Sequence, residues 1–224
     1  MPQELVQAPE LTAAVQDYAK AIYALETRDG TATTNALAER LNVRPASVSG
    51  MLKKLAVLGL VEHEPYRGVR LTERGRLVAL EVIRHHRLLE QYLVDTLGVP
   101  LDEVHAEADR LEHVLSEELE ARIDESLGFP THDPHGDPIP TAELTVAASD
   151  LRPLGELAPG EEATVRRVPD GDGELLRYLA SLALIPGQLV KLLRAAPFGG
   201  PLTVVAGNRE HAISRELASQ IGVA

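Results

Sequence analysis

His105, Asp109, Glu112 and His113 stand at i, i+4, i+7 and i+8 in the run VHAEADRLEHVLS. At about 100° per residue these four share one stripe of a helix. Upstream, His86 and Glu90 form a second pair at i and i+4, which a helix turns to the same side. Imidazole nitrogens and carboxylate oxygens are ligands for Mn²⁺, Fe²⁺ and Zn²⁺. The ordinary reading of any one such residue is a solvated helix face. The stripe, however, contains almost no Lys or Arg to pair with, and clustered carboxylates repel one another unless a cation joins them. No HExxH is present, so zinc hydrolase chemistry is the weaker rival.

The elements that must carry these residues read as follows. A long helix spans Thr72 to Leu97, stopped by Gly98-Val99-Pro100, and a second runs from Leu101 to Leu127, stopped by Gly128. Pro130, Pro134, Pro138 and Pro140 make the next stretch extended and loop-like. Upstream lie helices over residues 12–28, 34–41 and 44–58, then two β-like runs, 60–63 and 69–72, around the turn EPYRG. Helix, short helix, turn, helix and hairpin is the winged helix-turn-helix order, whose third helix enters the major groove. Its exposed start carries Arg44, Ala46, Ser47, Ser49 and Gly50, small or polar residues that can approach bases and phosphates. Lys53 and Lys54 suit phosphates, and Arg67 sits on the wing. The absence of long amide donors at this tip points to shape readout and phosphate contacts.

Charge follows the same division. Net charge is -12, yet residues 44–87 hold nine Lys and Arg against four Glu, and residues 101–127 hold ten carboxylates against two Arg. A basic segment beside an acidic one points to DNA and cations as separate partners. The chain has no cysteine, which excludes disulfides, thiolate metal sites and thiol nucleophiles. No apolar run reaches the ~18 residues of a membrane span. The first residues lack a signal-peptide pattern, so a cytoplasmic protein is expected. Beyond a linker at Thr141 to Asp150, short β-like runs at 163–168, 189–193 and 202–206, with one helix at 175–184, indicate a small β-barrel.

HRLLEQYL at His86 to Leu93, VHAEADRLEHVLS at Val104 to Ser116 and DPHGDPIP at Asp133 to Pro140 resemble the diphtheria toxin repressor family of iron- and manganese-dependent regulators. The likeness covers nearly the whole chain, and the wing EPYRGVRLT is similar to that of the family's manganese transport regulators. It implies a mainly α protein with a small β domain. The parts would be a winged helix-turn-helix over 1–75, a helical metal-binding and dimerisation domain over 76–145, and an SH3-like, FeoA-like β-barrel over 151–224. It further implies a primary metal site of Asp17, Asp109, Glu112 and His113 and an ancillary site of His86, Glu90 and His105. A third-domain ligand falls near Asp172, with Glu174 close by; in some members the proline-rich loop serves instead, here through Asp133 and His135.

Iron-responsive members carry Met and Cys where this chain has Asp17 and Asp109, and the harder oxygen donors favour Mn²⁺, with Fe²⁺ next and Zn²⁺, Co²⁺ or Cd²⁺ as substitutes in vitro. Lys20 replaces a Glu ligand of some binuclear manganese regulators, and Gly50 replaces a longer polar residue on the reading helix. The expectation is a homodimeric, non-enzymatic repressor of metal-uptake genes that binds operator DNA when metal joins Asp17 to the dimerisation domain. A metal-independent winged-helix regulator is the alternative.

Overall fold

The computed structural model describes residues 11–64 and 68–224. It divides between Ile83 and Arg84 into two compact units.

The first unit opens with α1 (Ala13–Asp29), which closes at Gly30, where a left-handed φ of 78° lets the backbone N–H reach Glu26 O. The Thr33 side chain caps α2 (Thr34–Arg40) by accepting from Ala36 N. Pro45 occupies the first turn of α3 (Pro45–Val57), where its missing N–H has no cost. Val48 and Leu55 are buried at seven-residue spacing on α3, against Ile22 and Leu25 of α1 and Leu37 of α2 in one core. The wing pairs β1 (Val61–Glu64) with β2 (Gly68–Leu71) in antiparallel register, Val61 opposite Leu71. Two contacts hold it to the helices: Val69 N donates to Ala32 O, and Leu71 N donates to Glu26 Oε1 at 2.8 Å. Gly68 is required at that junction, since its φ is 109° and a Cβ would lie 2.2 Å from Ala32 O.

Helix α4 (Glu73–Leu97) runs out of this unit into the second. There the single helix expected over 101–127 is two, α5 (Val104–Leu111) and α6 (Glu117–Ser126). Ser116 makes the break. Its backbone is extended (φ -86°, ψ 149°), and its hydroxyl accepts from Leu119 N. Glu117, Glu118 and Glu120 then suit the positive end of a new helix. Leu88, Leu89, Ala108, Ile123 and Ile139 form the helical core.

The proline-rich stretch is a folded turn rather than a merely extended one. Asp133 Oδ1 accepts from both His135 N and Asp137 N at 2.9 Å, an Asx-type turn. The barrel domain follows, with β3 (Arg152–Pro153), β4 (Glu162–Arg167), α7 (Gly173–Ser181), β5 (Leu189–Ala195), β6 (Leu202–Ala206), β7 (Arg209–Ile213), α8 (Arg215–Gln220) and β8 (Gly222–Val223). The strands form one antiparallel sheet in the order β3-β8-β4-β5-β6-β7 around a single apolar core. The sequence runs at 163–168, 189–193 and 202–206 correspond to β4, β5 and β6. Strands β3 and β8 have two residues each, too few to show a period.

Leu55 has no exposed surface. Leu55→Ala is expected to destabilise the first unit by about 2–5 kcal/mol, read from denaturant unfolding of the full chain.

Candidate metal centre

The centre is built within the second unit, from α4 outward. His86 and Glu90 stand one turn apart on α4, 3% and 0% exposed. His86 Nε2 lies 2.9 Å from Glu90 Oε1. Helix α5 brings His105, whose Nδ1 is 3.0 Å from both Glu90 Oε1 and His86 Nε2. Asp109, one turn further along α5, faces the outer nitrogens of both rings, at 3.3 Å from His86 Nδ1 and 3.6 Å from His105 Nε2. Glu112 closes the end of α5 with Oε2 at 2.5 Å from His86 Nδ1 and Oε1 at 3.5 Å from His113 Nε2.

The proline-rich turn completes the other side. His135 is fully buried and Asp133 nearly so, and His135 Nδ1 stands 3.5 Å from Glu90 Oε2. The turn is fixed from two directions. Arg87 on α4 donates to Pro138 O and faces Asp133 and Asp137. Against β4, Val168 N donates to His135 O, and Gly136 lies so close to the chain that a Cβ would be 1.8 Å from Arg166 O.

Electrostatics mark this as a place for a cation. Burial would raise the Glu90 carboxyl, but the imidazoles of His105, His135 and His86 turned on it outweigh burial and hold the group well below the carboxylate range. Asp133 goes the other way: burial, with the Asp137 and Glu90 charges behind it, outweighs Arg87 and the backbone hydrogen bond of the turn and pushes its carboxyl up to about 7. Burial likewise raises Asp137. Burial would lower His135, but the facing Glu90 carboxylate reverses the sign and raises it. Glu90 Oε2, Asp133 Oδ2 and His135 Nδ1 are buried without a hydrogen-bond partner. Such atoms are costly in an interior, and oxygen and imidazole donors turned on one another fit a divalent cation.

The residues read from sequence therefore fall into groups. His86, Glu90 and His105 converge, and so do Glu90, Asp133 and His135. The structure thus brings the loop residues and the helix residues to opposite oxygens of one carboxylate, where sequence reasoning left the loop residues as an alternative to a third-domain ligand near Asp172. Asp172 is the N-cap of α7, its Oδ1 accepting from Glu174 N and Leu175 N. A barrel acid missed from sequence, Asp170, contributes a smaller electrostatic push that raises both His135 and Asp137, behind burial and nearer groups. Only its place in the Asp-rich PDGDGE run hinted at it. Asp17 lies half-buried on α1 in the first unit; Asp109, Glu112 and His113 belong to the second.

On the reading helix, Arg44, Ala46, Ser47, Ser49, Gly50, Lys53 and Lys54 are all exposed, and a Cβ at Gly50 would meet nothing within 4 Å. Arg67 lies outside the described residues. Among the described residues, no helix is long and apolar enough to cross a membrane.

A winged helix-turn-helix followed by a metal-binding helical domain and a small β domain defines a metal-responsive DNA-binding regulator. Residues 10–69 match the N-terminal DNA binding domain of iron dependent repressors, residues 72–141 their metal binding and dimerisation domain, and residues 152–224 the FeoA domain. The chain is 35% identical over 226 residues to the iron-dependent repressor IdeR of Mycobacterium tuberculosis, covering 96% of this chain and 98% of that protein. Among solved structures, a manganese-dependent transcriptional repressor in complex with manganese superposes with a TM-score of 0.84 at 39% identity, covering 94% of this chain and 99% of that one. ScaR with bound Cd²⁺ superposes with a TM-score of 0.82 at 31% identity, covering 94% and 98%. The chain belongs to the diphtheria toxin repressor family: it is an iron- or manganese-dependent, DNA-binding transcriptional repressor and not an enzyme.

One further network frames the centre. Arg84 on α4, 5% exposed, donates to Glu120 and Asp124 of α6 at 2.5 Å each and to Pro140 O at 2.7 Å. Burial would raise Glu120, but hydrogen bonds from His85 and Arg84 hold it below its ordinary value of 4.5. A depressed carboxyl stabilises the fold above the unfolded value, and the effect fades as pH falls through the folded one. Glu120→Ala is expected to cost about 3 kcal/mol at pH 7, the low end for breaking a buried pair because Asp124 still faces Arg84. In urea unfolding from pH 7 downward, the gap between wild type and variant should hold to the ordinary glutamate range and shrink below it.

Proposed function

We propose that this repressor answers to manganese, with iron next, and that it silences metal-uptake genes as a cytoplasmic homodimer. The observation that carries the metal preference is the donor set. Every candidate ligand is a carboxylate or an imidazole, and the chain has no cysteine to offer. Oxygen-rich sets suit manganese, and imidazole accepts iron and zinc as well. The likeness to a manganese-dependent repressor in complex with manganese supports the same reading.

The resemblance assigns the regulatory ligands to both units: Asp17 to the first, Asp109, Glu112 and His113 to the second. A bound cation supplies the positive charge that three carboxylates and an imidazole need in order to share one site. Asp109 and Glu112 hold the His86 ring by its Nδ1 edge, so the regulatory ligands also orient the ancillary ones. In a two-fold dimer the two copies of α3 would meet half-sites one DNA turn apart, about 34 Å. The domains we assign to these roles are 1–75, 76–145 and 151–224.

Two measurements test the reading. Binding of the full chain to operator DNA, followed by fluorescence anisotropy during titration with Mn²⁺, Fe²⁺ and Zn²⁺, should strengthen at least tenfold with the preferred metal. Asp109→Ala should lose that gain, and full activation of the variant would remove Asp109 from the regulatory set. Separately, Lys53→Ala and Lys54→Ala should each weaken metal-activated binding on all DNA sequences alike. Each should also flatten the slope of log affinity against log salt by about 1.

A further inference from the structure

Alternate N–H groups of an antiparallel strand point at the partner strand and away from it. In β2, Val69 and Leu71 point away from β1, and both find acceptors on the α1 side. Val69 N donates to Ala32 O at 3.0 Å, just beyond the Gly30 stop of α1. Leu71 N donates to Glu26 Oε1 at 2.8 Å, a bond between residues 45 apart in the chain. The first acceptor is backbone and is supplied by any residue. The second is one side chain, and a shielded N–H that loses its acceptor is costly.

Tyr23 stands three residues before Glu26 and so shares its face of α1. The Arg76 guanidinium lies over the Tyr23 ring, 5.3 Å from its centre. One face of α1 therefore grips the chain at Leu71 and again at Arg76, where the wing passes into α4.

The reading helix is held differently. Val48 and Leu55 of α3 meet Ile22 and Leu25 of α1 in an apolar core. Apolar contact is non-directional, whereas a hydrogen bond weakens steeply as its angle closes. Helix α1 runs unbroken for 17 residues. Asp17 and Glu26 lie nine residues apart on it, about 14 Å along the axis at 1.5 Å per residue. A displacement at Asp17 thus reaches Glu26 through a rigid element, and Glu26 passes it to the wing through a directional bond.

We propose that Glu26 is a positioning residue for DNA binding: it fixes the wing to α1, so that the cation which orders α1 at Asp17 sets the wing together with the reading helix. The inference rests on the metal-dependent reading above and adds to it a route from Asp17 to a second DNA-contacting element.

The test measures Mn²⁺-activated operator binding of the full chain by fluorescence anisotropy, with manganese per protomer counted by elemental analysis. The variants are Glu26→Ala, Glu26→Gln, Arg67→Ala on the wing, and Glu26→Ala combined with Arg67→Ala. Removing a carboxylate from a DNA-binding domain would by charge alone strengthen binding. Glu26→Ala should instead weaken it about tenfold, the worth of a hydrogen bond to a charged group, with the manganese count unchanged. Glu26→Gln keeps an oxygen acceptor of about half the strength and should stay within about threefold of wild type. In the Arg67→Ala background, Glu26→Ala should cost less than about twofold, because a wing without its contact has no position to lose. Hydrogen exchange of the wild-type segment 68–72, read by mass spectrometry, should slow when Mn²⁺ is added, and Glu26→Ala should lose that slowing.

Undiminished binding by Glu26→Ala, a loss of manganese along with its binding, or an equal loss in Glu26→Gln overturns the role of Glu26. Additive losses in the double variant, or wild-type exchange unmoved by Mn²⁺, do likewise, and all leave metal-dependent repression standing. Wild-type operator binding indifferent to chelator overturns the metal-dependent reading itself. The wild-type exchange decides the matter even if a variant fails to fold.

Discussion

A carboxylate taken out of water costs several kcal/mol unless charged or hydrogen-donating groups replace the solvent. Glu90 is completely buried, and the second unit is arranged around that requirement. Helix α4 supplies His86 one turn earlier, α5 supplies His105, and the proline-rich turn supplies His135. Three elements far apart in the chain are thereby drawn to one side chain. Arg87 and Arg84, on neighbouring positions of the same helix, fix the turn and α6 through Pro138 O, Pro140 O, Glu120 and Asp124.

The network does not end at Glu90. Glu112 touches His86 with one oxygen and His113 with the other, so the candidate regulatory ligands and the ancillary ones share a continuous set of polar contacts. On the opposite side, the His135 carbonyl accepts from Val168 and the Gly136 backbone presses on Arg166, which ties the centre to the barrel domain. The barrel therefore has a physical route to the centre through the backbone of the turn, and Asp170 adds an electrostatic one. Burial, with the neighbouring charges of Asp137 and Glu90, raises Asp133, so negative charge is concentrated on this side of the network.

Much of this was legible beforehand, and the reasons are local. Periodicity over α1, α3 and α4 is long enough to locate those helices to within a residue or two. The i, i+4 spacing of His86 and Glu90 places them on one face of any helix that contains them. The break at Ser116 was the main miss. Its capping hydrogen bond competes with helix continuation, and an apolar count across 101–127 does not register that contest. Asp172 and Asp170 differ by two residues in the same acidic run, and only the course of the backbone after β4 spends the first as a helix cap and turns the second's charge on the centre.

The sequence by itself determined the chemistry available. Without cysteine the donors had to be carboxylate and imidazole, and charge segregation separated a DNA-facing part from a cation-facing part. The tertiary structure alone decided which donors meet. His86, His105 and His135 are separated by 19 and 30 residues, and their convergence on Glu90 depends on the packing of Leu88, Leu89, Ala108 and Ile139 in the core beneath them. Burial is a property of that packing and not of spacing. The orphaned oxygen of Glu90, which distinguishes two donor sets from one, became visible only once the fold had removed it from water.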